Sequence, residues 1–399
     1  MGQTREVWPL VRVRPSQTAS TLARVIAKVV FWGSLDALAW THAGYPAAMG
    51  ALARLRPRPV RKAGITPSVS LVVSAHNEES VIRRRIENLL ALDYPEDRLE
   101  IVVASDGSTD LTDSLVAEIS AREPRVRLLQ CPRTGKVAAQ HRAVRETTSD
   151  VVAFTDANTE WKGDALRELM RNLADPEVGY VCGQLRLESA DGANMEGIYW
   201  RYETWVRAQE SACSSITAGN GAIYAVRREA YVEDDPRFGH DFGFPYLMEQ
   251  AGRRAVYEPE AVAVEKPAAE PEDEYGRKVR TISRALGHIL TGRILRPTRP
   301  LYALELVSHR VLRYSTGLLH IGLLVSNVAL LARAPFYRRF LALQLAGLGL
   351  AAAGRARLPV PGARLAYYYY VVTKATVGAL VSYLRSGTPQ TWDKAKGTR

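Results

Sequence analysis

The chain has 399 residues, 47% of them hydrophobic, and a formal net charge of +11 at pH 7, which excludes a disordered or fibrous protein and leaves room for one or two globular domains. The three cysteines, Cys131, Cys182 and Cys213, have no Cys-x-x-Cys spacing and indicate neither a disulfide framework nor a zinc site. Basic residues are spread along the chain and concentrate beside apolar stretches, which favours a membrane surface over a nucleic acid as partner.

The first apolar segment, residues 21–55, is long enough for one membrane crossing, which takes about 20 residues. Lys28 and Asp36 interrupt it. A cleaved signal peptide is the alternative, but the apolar part exceeds the usual length and no clear cleavage site follows. We therefore predict an uncleaved membrane anchor within a first region, residues 1–65.

Residues 66–295 show the pattern of an α/β domain. Strand-like runs are VSLVVSA, LEIVVAS, VRLLQ, DVVAFTD and VGYVCGQLRL, and they alternate with helical patterns in EESVIRRRIENLLAL, STDLTDSLVAEISA and GKVAAQHRAVRET. This alternation predicts a sheet with helices on both faces. Ligands of such sheets bind outside the carboxyl ends of the strands, so polar residues just after a strand are candidates for the site.

The last region, residues 296–399, contains three further apolar stretches after Arg310. They are separated by joints rich in Arg, Pro and Gly. We predict three membrane helices, preceded by an interfacial helix in which Arg310 and Arg313 are mixed with apolar residues.

Polar clusters follow three of the predicted strands: SAHNEE, SDGSTD and TDAN. Helix capping is an alternative role for each cluster taken alone. Neither GxGxxG nor GxxxxGK[ST] occurs at these strand ends, which argues against a dinucleotide oxidoreductase or a P-loop nucleotidase.

The order of motifs resembles the family 2 glycosyltransferases, which have the nucleotide-sugar-binding GT-A fold. The matching stretches are SLVVSAHNEESVI, LDYPEDRLEIVVASDGSTDLT, RTGKVAAQHRAV, VVAFTDANT, AGNGAIYAVRRE, GHDFGFPYLMEQAGRRAVYEPEAVAVE and RKVRTISRAL. They cover nearly the whole predicted α/β domain. The flanking apolar segments resemble the membrane-bound branch of the family, which builds bacterial cell-surface polysaccharides and related glycans.

The resemblance implies that Asn77, Glu78 and Asp106 bind the base and ribose of a uridine-type nucleotide. It also implies that Lys136, at a predicted helix start, meets phosphate, since a positive side chain and free backbone amides coincide there. A solvated helix lysine is the alternative. At the family's usual Asn position this chain has His141.

The TDAN stretch stands where the family carries its DxD motif. Asp156 and Asn158 are two residues apart on an extended segment and face the same side, so the resemblance implies that they share one Mg²⁺ or Mn²⁺ ion. Asn in place of the second Asp removes one negative charge, and we expect weaker metal binding in the absence of nucleotide. The alternative is that Asn158 begins the next turn.

The resemblance assigns the catalytic base to Asp241, in GHDFGFP, where His240 replaces the first residue of an acidic pair. An N-cap of the following helix is the alternative role of Asp241. Arg280 matches the arginine that neutralises the departing diphosphate, with Arg277 in place of the family's Gln and Thr281 in place of its Trp. A basic helix along a membrane surface is the alternative for this stretch.

Two further stretches are candidates for the acceptor pocket. The aromatic residues Tyr199, Trp200, Tyr202 and Trp205 follow a helical pattern, in which packing is the alternative to stacking on a sugar. Gly219, Asn220 and Gly221 permit close approach of the backbone to a ligand.

The sequence and the resemblance together predict a metal-dependent, inverting glycosyltransferase. We expect it to move sugar from a nucleotide sugar, a UDP-sugar, to a lipid-linked or polysaccharide acceptor. We place it in the inner (plasma) membrane as a multi-pass protein with a cytoplasmic catalytic domain and no nucleic-acid partner. A processive polysaccharide synthase and a non-catalytic membrane scaffold with a degenerate transferase domain are the alternatives.

Overall fold

The computed structural model describes residues 17–187, 195–266, 271–296 and 298–388. Its strands are β1 (Val69–Ala75), β2 (Leu99–Asp106), β3 (Val126–Cys131), β4 (Val151–Asp156), β5 (Glu160–Trp161), β6 (Val178–Leu187), β7 (Tyr224–Arg227) and β8 (Arg254–Glu265). They form one sheet in the order β3-β2-β1-β4-β7-β6-β8-β5.

The helices fall into three groups along the chain. The first group is α1 (Gln17–Ala39) and α2 (Tyr45–Leu55). Helices α3 (Ile82–Leu90), α4 (Thr112–Ser120), α5 (Lys136–Arg145), α6 (Ala165–Asn172), α7 (Met195–Cys213), α8 (His240–Gln250) and α9 (Pro271–Leu290) are interspersed with the strands or follow them. The last group is α10 (Pro300–Glu305), α11 (Leu312–Tyr314), α12 (Thr316–Leu330), α13 (Pro335–Arg355) and α14 (Ala363–Ser386).

The five predicted strands are confirmed as β1, β2, β3, β4 and β6. Strands β3, β2, β1 and β4 are parallel, whereas β7 is antiparallel to both β4 and β6. Every residue of β1 is buried, as expected for a central parallel strand covered on both faces.

Helices cover both faces of the sheet, as predicted. Since side chains alternate along a strand, Leu71 and Val73 of β1 face one core and Val72 faces the other. The first core contains Ile82, Ile86 and Leu89 of α3, and the second contains Ala139, Ala143 and Val144 of α5. These helical residues recur at three- and four-residue spacing, which explains why each helix has one buried face.

The predicted membrane-spanning helices are not found. Within the described residues, no helix is both long enough and apolar enough to cross a bilayer. Helix α12 has 15 residues and rises about 22 Å, short of the hydrocarbon core of about 30 Å. Helices α1 and α14 are longer, but hydroxyl-bearing and charged residues, among them Lys28 and Lys374, dilute their apolar content.

Helices α1, α12, α13 and α14 pack against one another beside the sheet domain. Phe31 of α1 is fully buried and makes edge contacts with Tyr337 and Phe340 of α13 at centroid distances of 5.1 and 5.2 Å. Helix α14 packs on α9, where Ser283 Oγ donates to the Ala379 carbonyl oxygen at 3.2 Å. The helical region is thereby fixed to the helix that follows the last strand.

Two π-helical turns face each other between the helical region and the sheet domain. Trp40–Gly44 joins α1 to α2, and Leu306–Val311 joins α10 to α11. Trp40 Nε1 of the first turn donates to Ser308 Oγ of the second at 3.0 Å. Such turns contain one residue more than an α-helical turn and are frequent at functional sites.

We predict that Glu305→Gln stabilises the protein at neutral pH. Glu305 is fully buried where α10 meets the sheet domain, and burial, with the charge of Glu210, raises its pKa well above the usual range. Because the unfolded carboxyl ionises first as pH rises, the folded wild type loses stability above pH 4 to 5, whereas the glutamine variant does not.

Thermal unfolding between pH 5 and 8 checks this prediction. The stability gained by Glu305→Gln should grow with pH. Glu96→Gln is the control, because the Glu96 side chain is 80% exposed. A gain that is constant or shrinks as pH rises would contradict the predicted protonation of Glu305.

Candidate active site

The carboxyl ends of β1, β2 and β4 lie side by side at one edge of the sheet. In the parallel registers Ser74 of β1 is paired with Asp156 of β4, and Ala75 of β1 with Ser105 of β2. The three polar clusters SAHNEE, SDGSTD and TDAN therefore meet at one place, as ligand sites of open α/β sheets do.

Both carboxylate oxygens of Asp106 bind the loop that precedes α5. Its Oδ1 accepts from the backbone N–H groups of Thr134 and Gly135 at 2.8 and 2.9 Å, and its Oδ2 pairs with Arg133. The side chain is buried. Asp106 thus holds the loop that presents Lys136, and its predicted contact with a nucleotide stays a prediction.

Asn77 and Glu78 tie the β1 loop to the β2 loop. Asn77 has a left-handed backbone, with φ 56°, and its Oδ1 accepts from the Thr109 N–H at 2.6 Å. The backbone N–H of Glu78 donates to Thr112 Oγ1 at 2.7 Å. Of the residues predicted to bind the nucleoside, Glu78 lines the main cavity, whereas Asn77 and Asp106 are not among its described lining residues.

Lys136 is the first residue of α5 and forms an ion pair with Asp156 at the end of β4. Gly135, with φ 101°, makes the turn that starts the helix there. A Cβ atom on Gly221 would lie 3.3 Å from Lys136 Nζ and 3.7 Å from Asp156 Oδ2. Glycine at this position therefore leaves room for a ligand group beside the ion pair.

A buried arginine forms a hydrogen bond with the end of β4. Arg85 Nη2 donates to Thr155 Oγ1 at 2.6 Å, and the Arg85 side chain is 2% exposed. Burial lowers the Arg85 pKa to about 9, although the charge of Asp156 opposes the shift. Arg85 has no counterpart in the motif pattern, so it could not be identified from the motifs.

The oxygen donors around Asp156 suit a hard divalent cation. Asp156, Asn158 and Glu265 all line the cavity, and Asn158 Nδ2 donates to Glu265 Oε1 at 2.9 Å. Carboxylate and amide oxygens are the ligands that Mg²⁺ and Mn²⁺ prefer. The Lys136 ammonium group pairs with Asp156, so this position accommodates a positive charge. The site therefore fits a metal ion, with Glu265 as a candidate ligand that the motif comparison missed.

Glu265 could have been identified as a candidate from the sequence. It is the last residue of β8, which runs parallel to β6 and, through antiparallel β7, parallel to β4. The rule that polar residues after parallel strands share one edge applies to it as well.

Asp241 lies in the first turn of α8, beside the glycine-rich segment. Its backbone carbonyl accepts from the Gly219 N–H at 2.7 Å. The carboxylate folds over Gly239, where a Cβ atom would collide with Asp241 Oδ1. Gly219 adjoins Asp241 and Gly221 adjoins Asp156, and two residues span at most about 7 Å. The predicted base and the predicted metal ligand therefore lie beside the same short segment of the cavity lining.

Asn220 fixes the segment between those two glycines. Its Oδ1 accepts from the N–H groups of Ala222 and Ile223, each at 3.0 Å, and its Nδ2 donates to the Gly183 carbonyl at 2.8 Å. The residue lines the cavity, but these bonds give it a positioning role.

His141 and His240, which depart from the family pattern, are both buried. His141 Nε2 donates to the Asp234 carbonyl at 2.8 Å, so its Nδ1 accepts from the Tyr231 hydroxyl at 2.6 Å. His240 Nδ1 lies 2.9 Å from the Tyr224 hydroxyl. Burial lowers the pKa of both imidazoles, and that of His240 strongly. They are neutral packing partners of the aromatic core.

Helix α9 brings Arg280 to the cavity, together with Arg277 and Thr281. Arg284, one turn further along, lines it too. Burial lowers the Arg284 pKa, and the charge of Asp241 opposes this shift. Sequence reasoning missed Arg284, although its spacing of four residues from Arg280 places both on one face of the helix.

The cavity, of about 630 Å³, extends beyond the strand ends into the helical region. Its far part is lined by Arg310 and Arg313 and by Tyr368, Tyr369 and Thr376 of α14. Of the predicted aromatic residues, Trp200 and Tyr202 line the cavity, Trp205 is 43% exposed, and the Tyr199 side chain lies outside the described part.

A buried charge network lies next to the cavity, to whose lining Glu203, Arg310 and Arg313 contribute. His309 Nδ1 lies 2.6 Å from Glu210 Oε1, and Arg313 pairs with Glu203. Burial acts to raise the pKa of both glutamates, but the facing positive charges, with His309 acting on both, overcome it and lower both values. The Glu203 and Glu210 carboxylates of α7 are therefore both ionised.

Comparison with known proteins identifies related sequences. Residues 70–234 match the family model described as Glycosyl transferase family 2. The chain is 29% identical over 215 residues to a beta-monoglucosyldiacylglycerol synthase of Nostoc sp. (strain PCC 7120 / SAG 25.82 / UTEX 2576), covering 51% of this chain and 45% of that protein. It is 29% identical over 218 residues to an N-acetylglucosaminyltransferase of Azorhizobium caulinodans, covering 50% of this chain and 55% of the relative. The chain thus spans about half the length of these curated relatives.

A solved structure shares the fold over most of the chain. The mannosyltransferase PcManGT from Pyrobaculum calidifontis, in complex with GDP-Man and Mn²⁺, superposes with a TM-score of 0.71 at 22% identity. The match covers 91% of this chain and 99% of the other. It shows that the helical region belongs to the shared fold along with the sheet.

We predict that Glu210→Gln lowers the free energy of unfolding by about 3 to 5 kcal/mol. The substitution removes a fully buried negative charge and leaves His309 and Arg310 facing each other without it. Denaturant unfolding measures the difference. Glu118→Gln is the matched control, because the Glu118 side chain is 43% exposed, and it should change stability by less than about 0.5 kcal/mol. Equal effects of the two substitutions would show that the network is not a stabilising element.

Proposed function

Since the chain is a family 2 glycosyltransferase through residues 70–234, we propose that it transfers a sugar from a nucleotide sugar to a lipid-linked or glycan acceptor with inversion at the anomeric carbon. The observation that supports this most is the single cavity that joins Asp156 and Lys136 at one end to Asp241 at the other. A donor diphosphate and an acceptor hydroxyl need such an arrangement, with the anomeric carbon between them.

In the proposed reaction the acceptor hydroxyl oxygen attacks the anomeric carbon while its proton passes to the Asp241 carboxylate. The bond between the anomeric carbon and the diphosphate oxygen breaks on the opposite side, and its electron pair leaves with the nucleoside diphosphate. Lys136 and Arg280 stabilise the negative charge that develops on this leaving group.

Asp156 and Asn158, with Glu265 beside them, would hold the divalent cation. Such a cation supplies Lewis-acid stabilisation of the leaving diphosphate. The Mn²⁺ in the complex of the mannosyltransferase with the same fold supports this choice of group. Lys136, which pairs with Asp156 in this structure, would be able to bind a phosphate oxygen of the donor.

We place the protein at the inner membrane with the sheet domain in the cytoplasm, where nucleotide sugars are made. The helical region supports a lipid surface as neighbour, since large apolar side chains on three of its helices are strongly exposed: Leu22 (62%), Val29 (66%), Val325 (64%) and Leu343 (66%). The name of the Nostoc relative, a glucosyldiacylglycerol synthase, favours a lipid acceptor.

The proposed function is tested by incubating the full chain with Mn²⁺, a panel of nucleotide sugars and a lipid extract of the source cell, followed by mass spectrometry. UDP-sugars form the main panel, and GDP-mannose is included because the mannosyltransferase with the same fold binds it. A lipid or glycan product with one added sugar mass supports the proposal. Nucleotide binding without any turnover supports a non-catalytic scaffold instead.

We predict that Asp241→Asn lowers turnover by about two to four orders of magnitude. Donor binding should stay within a few-fold, because asparagine keeps the size of the side chain and removes its basicity. Initial rates and donor affinity are measured in parallel. Asp164→Asn, an exposed change outside the cavity, is the control. Activity of Asp241→Asn near the wild-type level would exclude Asp241 as the base.

We predict that Asp156→Asn abolishes metal-dependent turnover and that Asn158→Asp tightens Mn²⁺ binding in the absence of nucleotide. Asp156 supplies the full negative charge of the TDAN stretch, and a carboxylate at position 158 adds a second. Titration followed by electron paramagnetic resonance measures Mn²⁺ affinity directly. Asn158→Ala should raise the Mn²⁺ concentration needed for activity. Identical half-saturation in the wild type and both Asn158 variants would leave Asn158 with a purely structural role.

A further inference from the structure

Three arginines from three different segments belong to the lining of the cavity that contains Asp241. Arg207 belongs to α7, Arg284 to α9 and Arg310 to the second π-helical turn, and all three line the cavity. Each has one buried guanidinium nitrogen without a hydrogen-bond partner among the described residues: Arg207 Nη1, Arg284 Nε and Arg310 Nη2. A buried charged donor left unpaired is costly, so a ligand acceptor group that pairs with these nitrogens would be bound favourably.

Hydrogen bonds to residues 217–219 place Arg207 and Arg310 near the base, and the charge of Asp241 acts on Arg284. Arg207 Nε donates to the Ala218 carbonyl at 3.1 Å, and Arg207 Nη2 to the Gly219 carbonyl at 3.3 Å. The Gly219 N–H in turn donates to the Asp241 carbonyl. Arg310 Nε donates to Thr217 Oγ1 at 2.9 Å. Residues 217–219, which adjoin the base, are thus held by two of these arginines, Arg207 and Arg310.

Two carboxylates of α7 lie near Arg310 without forming a hydrogen bond to its Nη2. Glu203 pairs with Arg313 and lies 4.0 Å from Arg310 Nη1. The Arg310 Nη2 atom has no hydrogen-bond partner among the described residues.

The wall next to the arginines suits an amphipathic molecule. Leu365, Tyr368 and Val372 of α14 line the same cavity as Arg310. An acceptor with an anionic group and an apolar part could place the first against the arginines and the second against these side chains of α14.

We propose that Arg207, Arg284 and Arg310 form an anion subsite that binds a phosphate group of the acceptor next to the hydroxyl that reacts. Guanidinium groups bind phosphate oxygens with paired, directional hydrogen bonds, which suits this role. The subsite rests on the proposed function and specifies its acceptor. The phosphate comes either from a lipid headgroup or from a water-soluble phosphorylated acceptor.

Calorimetry on the full chain, with Mn²⁺ and UDP filling the donor end, tests the subsite with three probes. These are dioctanoyl phosphatidic acid, dioctanoylglycerol and inorganic phosphate. UDP binding is measured first, so failure of the donor site is recognised separately from failure of the subsite. The wild type should bind the phosphatidic acid at least about tenfold more tightly than the dioctanoylglycerol.

Arg284→Gln and Arg310→Gln should each remove about this tenfold preference. Arg122→Gln is the matched control, because the Arg122 side chain is 77% exposed and outside the cavity. Arg310→Lys keeps the positive charge at this position and should retain part of the preference. Unchanged UDP binding and circular dichroism show that the variants fold.

The probes also separate the two sources of phosphate. A preference for the phosphatidic acid that depends on Arg284 supports a lipid phosphate. Binding of inorganic phosphate that depends on Arg284, with no gain from the lipid chains, supports the subsite and assigns a water-soluble acceptor. Wild-type binding of all three probes by both glutamine variants would overturn the proposal.

Discussion

One carboxylate connects the three parts of this protein. Glu210 Oε1 lies 2.6 Å from the Tyr45 hydroxyl of α2 and 2.6 Å from His309 Nδ1 of the second π-helical turn. Its Oε2 accepts from the Thr217 N–H at 3.0 Å, directly before the glycine-rich segment. A buried charge of this kind is stable only while all its partners are in place. The N-terminal helices, the C-terminal helices and the floor of the cavity therefore adopt their arrangement together.

The sheet supplies the end of the site around Asp156, whereas α7, α8, α9 and the second π-helical turn supply the end around Asp241. Parallel pairing sets Asp156 and the β1 and β2 loops side by side, and this depends on backbone register alone. The position of Asp241 depends on contacts with the glycine-rich segment, and the position of Arg310 depends on the network around Glu210. The donor end is consequently a property of the sheet, whereas the acceptor end is built by tertiary contacts.

This division explains what could be predicted from the sequence. The strands and the helices that cover them follow from local apolar spacing, and the polar clusters at the strand ends follow from the edge rule. The far part of the cavity does not follow from local spacing, because Arg310 contacts Thr217, a residue 93 positions away in the sequence. The apolar segments favoured membrane spans by their local composition, but within the described residues no helix reaches the length and apolar content that a crossing needs. The replacements His141 and His240 became interpretable only with their tyrosine partners in view.

The two facing π-helical turns have a consequence for how such a protein can diverge. His42 of the first turn and Arg310 of the second both line the cavity. Deletion of one residue from either turn would restore a regular α-helix and rotate everything after it by about 100° relative to what precedes it. An entire set of lining side chains would be exchanged in a single evolutionary event, with the sheet and the donor end untouched. Changes of length at these turns are thus a shorter route to a new acceptor than the replacement of each lining residue in succession.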